Sequence, residues 1–461
     1  MPIDLSLQRV VKLLGKLGNP HLSNFFTIHI AGTNGKGSVC SYLSSILKEN
    51  KFRIGKFTSP FLINRYDCIS INNEPVNEIF FLEIEKTINR INLECNIRAT
   101  EFEILTVIAF KIFELKKINF AILEVGLGGK LDATNNSDNG YELVNGGVIL
   151  TGITKIDYDH ENILGKTLSE ISEQKAGIIK EKVKCVLDGS NKEEVIKKVR
   201  EISESQGSKL YITNNDNGDR MEDTVIKTEN FGEIPFKITP LLGRYQYQNL
   251  SISLKIIDLL YPYISRLRFG NGFTSDCKIK REQIIEGIKK VKWPARLQTL
   301  DLCINKEGER MRVLVDGAHN GSAAVELGQF IDKQYRQKGK KIVFVMSVTN
   351  SKKIESLVMP LFQREDRVFL TRFDYKDGVD QMPWISSYKC SVLKQKIERV
   401  YKKKGAVIPE MAVEENLEKL LEQMQWDRER EVVVVCGSLY LASALFRIHL
   451  EHCSDGTKDI F

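Results

Sequence analysis

Apolar positions along the chain fall into two patterns. Short, mostly apolar runs at 28–31, 120–125 and 147–152 each give way to Gly or polar residues, which is how strands buried on both faces of a parallel sheet read. Between them, 103–115 carries Ile104, Leu105, Val107, Ile108, Phe110 and Ile112 at helical spacing, and this predicts a helix buried on most sides. The segment 39–47 reads as an amphipathic helix following the first strand. The stretch 214–233, rich in Asn, Asp and Gly, reads as a loop or an irregular hairpin, and a helix resumes after 242–249. A Trp-Pro-Ala-Arg break at 293–296 precedes a fresh set of strands at 313–316, 342–346, 368–371 and 432–436. The expectation is an α/β protein of two domains, 1–294 and 295–461, with a mostly parallel sheet in the first. No repeat or low-complexity tract interrupts it.

Composition narrows the partners. At 461 residues, two or three domains are expected, and 42% hydrophobic with 28% charged residues is ordinary for a soluble globular chain. A net charge of +7 suits polyanionic small molecules such as nucleotides. No Lys/Arg block interleaved with aromatics argues for nucleic acid. Nine cysteines without a CxxC pair read as reduced thiols, forming neither a disulfide frame nor a zinc site. The N-terminus lacks a secretory or presequence pattern, and no apolar run approaches the ~18 residues that span a bilayer. The expectation is a cytosolic protein with no membrane partner.

The most informative chemistry is GTNGKGS at 32–38, between the first strand and helix. A strand turning through glycines into a helix aims backbone N–H groups and the positive end of the helix at phosphates, and a lysine reaches the outer ones. The usual phosphate loop has Gly at position 30 and Ser or Thr at 37; Ile30 and Gly37 make this a shortened variant. Glu124 ends a second strand and leads into EVGLGGKLDATN. A carboxylate there suits Mg²⁺, although a strand-terminal Glu can also cap a helix. His160, at the end of ITKIDYDH, is open to a structural or a functional reading. Lys175 is open to a surface reading or, after CO₂ adds to its neutral amine, to that of a carbamate that helps hold a metal. In the second half, Asp316 suits a ribose hydroxyl, while His319 and Arg296 suit phosphates. A GxSxG elbow is missing, and the GxGxxG spacing fails at Leu131, which leaves a nicotinamide-dependent enzyme a poor alternative.

Taken together, these segments resemble the folylpolyglutamate synthase and dihydrofolate synthase family of the Mur ligase superfamily. The resemblance rests on HIAGTNGKGSV (29–39), GKFTSP (55–60), TEFEILT (100–106), EVGLGGKLDATN (124–135) and DHENILGKTLSEISEQKAGII (159–179). It continues through LLGRYQYQN (241–249), WPARL (293–297), VDGAHNGSAAVEL (315–327) and CGSLYL (436–441). DGAHNGSAAVEL, TRF with MPWI (371–373, 382–385) and the opening segment 7–20 are similar to the fungal dihydrofolate synthase branch. The resemblance implies a Mur-ligase-type phosphate-loop ATPase domain and a smaller Rossmann-like C-terminal α/β domain. It implies ATP held by Gly32, Thr33, Asn34, Gly35, Lys36, Gly37 and Ser38, with Asn249, Arg296 and Asp316 completing the nucleotide site. Ser59, Glu124 and His160 would ligate magnesium at two sites. Lys36, Lys175 and His319 would be catalytic, and Lys175 matches the family's carbamylated lysine. The implied reaction joins L-glutamate to dihydropteroate with ATP, in a monomer whose second domain closes on the first. Addition of glutamate to an existing folate and a catalytically inactive nucleotide-binding regulator are the rivals. Asp67-Cys68, Asn73, Phe61 and Ala295 depart from the family pattern, mainly on the pterin side.

Overall fold

The computed structural model describes residues 6–136, 147–214, 224–264, 266–267, 278–305, 309–350, 352–373, 386–453, 456 and 460. Residues 1–5 of the N-terminus, Cys277, part of the polar stretch (215–223) and MPWI (382–385) lie outside them. The chain divides into two compact units. One comprises Met1–Phe61, Tyr66–Pro240 and Arg244–Val291; the other Leu62–Arg65, Leu241–Gly243 and Lys292–Phe461.

The first unit is built on strands β1 (Phe26–Ala31), β2 (Ile54–Phe57), β3 (Ile69–Ile71), β4 (Glu74–Pro75), β5 (Phe120–Glu124), β6 (Gly147–Ile153), β7 (Lys184–Leu187) and β8 (Leu210–Ile212). They form one sheet in the order β4-β3-β2-β5-β1-β6-β7-β8, parallel except for the β2-β3-β4 edge. The three strands read from sequence are its centre. Register pairs Ile30 with Glu124 and Ala31 with Ile153, so Gly32, Glu124 and Thr154 emerge at one carboxyl edge. That is where ligands meet open α/β sheets.

The helix Glu101–Leu115 starts in a capping box. Thr100 Oγ1 accepts from Glu103 N at 3.3 Å, and Glu103 Oε2 accepts from Thr100 N at 2.6 Å. Its ten buried residues agree with the periodicity. The part of 214–233 that is described contains a two-stranded hairpin, β9 (Val225–Thr228) and β10 (Gly232–Pro235). The amphipathic reading of 39–47 is corrected: in the helix Lys36–Glu49, every residue from Gly37 to Leu47 is buried. The sheet covers one side, while the helices Tyr245–Ile264 and Arg281–Lys289 cover the rest. The fit is tight where Gly287 crosses this helix. Ser45 Oγ donates to Gly287 O at 2.6 Å, and a Cβ on Gly287 would lie 2.5 Å from Ile46 Cα. No helix among the described residues is long and apolar enough to cross a membrane.

The second unit carries β11 (Gln298–Cys303), β12 (Arg310–Val315), β13 (Lys341–Met346), β14 (Arg367–Leu370), β15 (Glu410–Val413) and β16 (Glu431–Cys436), ordered β11-β12-β16-β13-β14-β15. Only the β11-β12 pair is antiparallel. Val313, Val343, Val345, Val433 and Val435 pack on Leu441, Leu445 and Phe446 of the helix Leu439–His452, and Ile63 joins this core. A smaller α/β unit therefore follows the larger one, as the alternating pattern predicts.

Gly287→Ala should lower the free energy of unfolding by about 1–3 kcal/mol, because the methyl group meets backbone that cannot rotate away. Urea denaturation followed by fluorescence checks this, and a midpoint equal to wild type would mean the crossing is looser than described.

Candidate functional site

The phosphate loop is shaped by what glycine lacks. Gly32 has φ +145°, and a Cβ there would sit 1.9 Å from Thr154 Oγ1. Gly35, at φ +96°, precedes the helix Lys36–Glu49, and its Cβ would lie 2.2 Å from Asn249 Oδ1. Between them, Thr33 N and Asn34 N donate to Lys155 O at 2.8 and 3.2 Å, and Thr33 Oγ1 bonds to the backbone of Asp157. The loop is thus pinned to the segment after β6 before any ligand arrives. Asn249, read as an adenine contact, stands against this backbone and donates to Gln246 Oε1 at 3.0 Å. Gln246 Nε2 in turn reaches Ser38 Oγ at 3.4 Å.

Three more of the candidate residues gather at the same edge. Lys36 Nζ donates to Thr33 O at 3.2 Å and stands 3.9 Å from Glu124 Oε1. Glu124, 4% exposed, accepts from Ser59 N at 3.4 Å. Lys175 is buried and donates to Gly32 O at 2.8 Å. Burial and then the charge of Lys36 bring the Lys175 ammonium down to about 7, against the pull of Asp159 and Asp132. The surface reading of Lys175 therefore gives way to a buried amine with a substantial neutral population near neutral pH. His160 is half-exposed with a left-handed backbone, φ 51°, and its Nε2 stands 3.7 Å from Asp159 Oδ2.

Sequence reasoning assigned no role to the residues that shape the EVGLGGKLDATN loop. Asp132 Oδ2 accepts from Leu127 N at 2.8 Å, and its Oδ1 accepts from Thr134 N at 3.0 Å and Thr134 Oγ1 at 2.5 Å. Thr134 Oγ1 also meets His29 Nε2 at 2.8 Å. Burial, with a smaller push from Lys180, holds His29 down at about 3, so this ring is neutral. The sequence signal available was an Asp two residues before a Thr, directly after a glycine turn, which favours local side-chain-to-backbone bonds. Lys56, on β2, was missed as well. It reaches Ser41 Oγ at 3.4 Å, and burial lowers it to about 8.

The second unit groups Arg296, Asp316 and His319. Asp316 is buried, and its two oxygens accept from Leu297 N at 2.9 Å and Ala318 N at 2.8 Å. Burial raises its carboxyl group, opposed chiefly by Arg296. His319 Nδ1 bonds to Gly317 O at 2.8 Å. Asp316 thus organises its own turn in addition to whatever it offers a ribose. Elsewhere in this unit Cys303, His449 and Cys453 cluster. The His449 Nδ1 already accepts Cys303 N at 3.0 Å and so closes the outer edge of β11. The eight described cysteines are free thiols.

Known proteins share this architecture. The family profile described as "Dihydrofolate synthetase, C-terminal domain" matches residues 298–448. The dihydrofolate synthetase of Saccharomyces cerevisiae is 40% identical over 457 residues, covering 98% of this chain and 99% of that protein. The dihydrofolate synthase/folylpolyglutamate synthase of Bacillus subtilis is 30% identical, covering 80% of this chain and 81% of that one. Among solved structures, the folylpolyglutamate synthase of Thermotoga maritima superposes with a TM-score of 0.71 at 26% identity, covering 99% of this chain and 96% of that one. The E. coli FolC solved with DHPP and ADP shares the fold, with a TM-score of 0.74 at 21% identity over 99% of this chain and 95% of that one. With such identity over nearly its whole length, the chain belongs to the family of dihydrofolate synthetases and folylpolyglutamate synthases.

Proposed function

We propose that this protein is an ATP-dependent ligase that joins L-glutamate to 7,8-dihydropteroate, giving dihydrofolate, ADP and phosphate, and that it acts as a cytosolic monomer. The observation that carries the reading is the placement of Lys36 at the head of a buried helix, 3.9 Å from the buried Glu124. The family and the 40% identity to a dihydrofolate synthetase supply the substrate class. Residues 1–294 would form the ATP-binding domain and 295–461 the second ligase domain.

A carboxylate resists amines because its leaving group would be oxide. Transfer of the γ-phosphoryl group of ATP to the pteroate carboxylate makes an acyl phosphate, and the neutral amine of glutamate then attacks the carbonyl carbon and expels phosphate. The chain's part is positioning and charge neutralisation. Amides of the loop Gly32, Gly35, Gly37 and Ser38 hold the phosphates, Thr33 and Asn34 shape the loop through their bonds to Lys155 O, and Lys36 exchanges its bond to Thr33 O for the outermost phosphate. Asn249 serves the adenine, Arg296 and His319 the phosphate charge, and Asp316 the ribose.

Ser59, Glu124 and His160 offer two oxygens and an imidazole, a mainly hard donor set that fits Mg²⁺, and the buried carboxylate calls for a cation beside it. When bound, that ion neutralises phosphate charge. Lys175, with its amine lowered to about 7, meets the first requirement for a carbamate, a neutral nitrogen. Addition of glutamate to tetrahydrofolate is the second reading, favoured by the double name of the Bacillus subtilis relative.

Lys36→Ala should lower kcat at least about 100-fold while melting within a few degrees of wild type, the size of loss seen when one preorganised charge-stabilising group is removed. Turnover near the wild-type rate would remove the phosphate-loop assignment. Offered separately with labelled glutamate and ATP, dihydropteroate should be consumed and tetrahydrofolate should not; the reverse result selects the second reading. For Lys175, the unfolded side chain titrates near 10.5 and the folded one near 7. Between those values the unfolded chain holds the extra proton, so stability rises with pH. Lys175→Met should flatten that rise in urea titrations from pH 7 to 10.5, and an unchanged slope would contradict it. With ¹³C-bicarbonate, wild type should give a carbamate resonance that Lys175→Met lacks, and silence in both would dismiss the modification.

A further inference from the structure

Arg296 sits in an unusual turn. Its neighbours Ala295 and Leu297 both have left-handed backbones, φ 56° and 45°, although each carries a Cβ that disfavours that region. Both are almost fully buried, at 0% and 2% exposure, so their backbone polar groups need partners inside the protein. Those partners are few and specific. Leu297 N donates to Asp316 Oδ2 at 2.9 Å, and Gly317 N donates to Ala295 O at 2.9 Å. The remaining amide, Ala295 N, donates to the side-chain oxygen Oε1 of Gln298 at 2.9 Å. The other end of the same side chain, Nε2, donates to Ile460 O at 3.0 Å, which fixes which way the amide points.

The guanidinium depends on this turn. Arg296 Nη1 donates to Ala295 O at 3.1 Å, and it lies only 2.2 Å from where a Cβ on Gly317 would stand. Rotation of the 295–296 peptide would therefore move the acceptor to which the arginine is anchored. We propose that Gln298 is a positioning residue for Arg296: by holding Ala295 N it keeps the left-handed turn in place and sets where the guanidinium points. This rests on the reading that Arg296 serves the nucleotide phosphates. Gln298 touches no substrate in this scheme and acts only through its neighbour.

The bland reading makes Gln298 a brace for the fold alone, and the two differ in coupling. Kinetics with varied ATP, at saturating dihydropteroate and glutamate, should be measured for Gln298→Ala, Gln298→Glu, Arg296→Ala and the double variant Gln298→Ala/Arg296→Ala, each with a thermal melt. Gln298→Ala should lower kcat/KM for ATP about tenfold, the scale of one lost buried hydrogen bond. Gln298→Glu, which keeps an acceptor for Ala295 N but sets a carboxylate oxygen against Ile460 O, should lose less than Gln298→Ala. The double variant should be no worse than Arg296→Ala, because the positioned group is already gone. A brace for the fold alone would lower the melting temperature and add its full kinetic loss on top of Arg296→Ala; that result, or a wild-type kcat/KM in Gln298→Ala, overturns the proposal. If Gln298→Ala does not fold, Gln298→Met keeps the volume, removes both polar ends and carries the same comparison. Normal kinetics in Arg296→Ala would instead remove the assignment of that arginine to the nucleotide, and the proposal with it, whatever Gln298 does.

Discussion

The first unit is organised around a carboxylate held nearly out of water with a lysine beside it. Glu124 is 4% exposed, and Lys36 stands 3.9 Å away. A buried carboxylate is costly unless a cation answers it, and the partly exposed Lys36 supplies one. The parallel register between β1 and β5 sets them side by side, with Ile30 opposite Glu124 and the glycine turn two residues further on. Lys56 also acts on Glu124, and Lys36 keeps 17% of its side chain exposed, so the carboxylate retains a cation near it when Lys36 turns to a ligand. The sheet, the turn and the covering helices are arranged to keep that edge charged and shielded.

Much of this arrangement could be read in the residues themselves. The runs around Ile28, Ile122 and Leu150 declare buried strands because both faces are apolar, and these three strands are neighbours at the centre of the sheet. The capped helix Glu101–Leu115 was legible for the same kind of reason. The strands β2, β7 and β8 were not, because three or four residues carry too little period to stand out. The segment 39–47 misled because Ser41, Ser44 and Ser45 look like a solvent face. They are buried, with Ser45 spending its hydroxyl on Gly287 and Ser41 accepting from Lys56. Which helices cover another helix is a long-range fact, and 242 positions separate the partners Ser45 and Gly287.

The same division holds for the candidate site. Residue type and spacing picked out Lys36 and Glu124, since each lies beside a glycine turn whose chemistry is local, whereas a role for Lys175 came from the family resemblance. Asp132 and His29 were invisible as partners. Their link runs through Thr134, and only pairing of distant strands brings a residue of β1 beside it. Burial of Lys175 could not be read either, because a lysine on a nine-residue helix is exposed by default. Asp316 offered a ribose ligand on paper, while the fold shows a carboxylate already engaged by two backbone amides.

The burial of the helix Lys36–Glu49 has a practical corollary. An element enclosed by a sheet and two other helices cannot loosen alone. The grip on phosphate and the cohesion of the whole first unit are therefore one cooperative property. Heat inactivation and loss of tertiary packing in that unit should share a single temperature, and any variant selected for thermal endurance there inherits a stiffer nucleotide cradle with it.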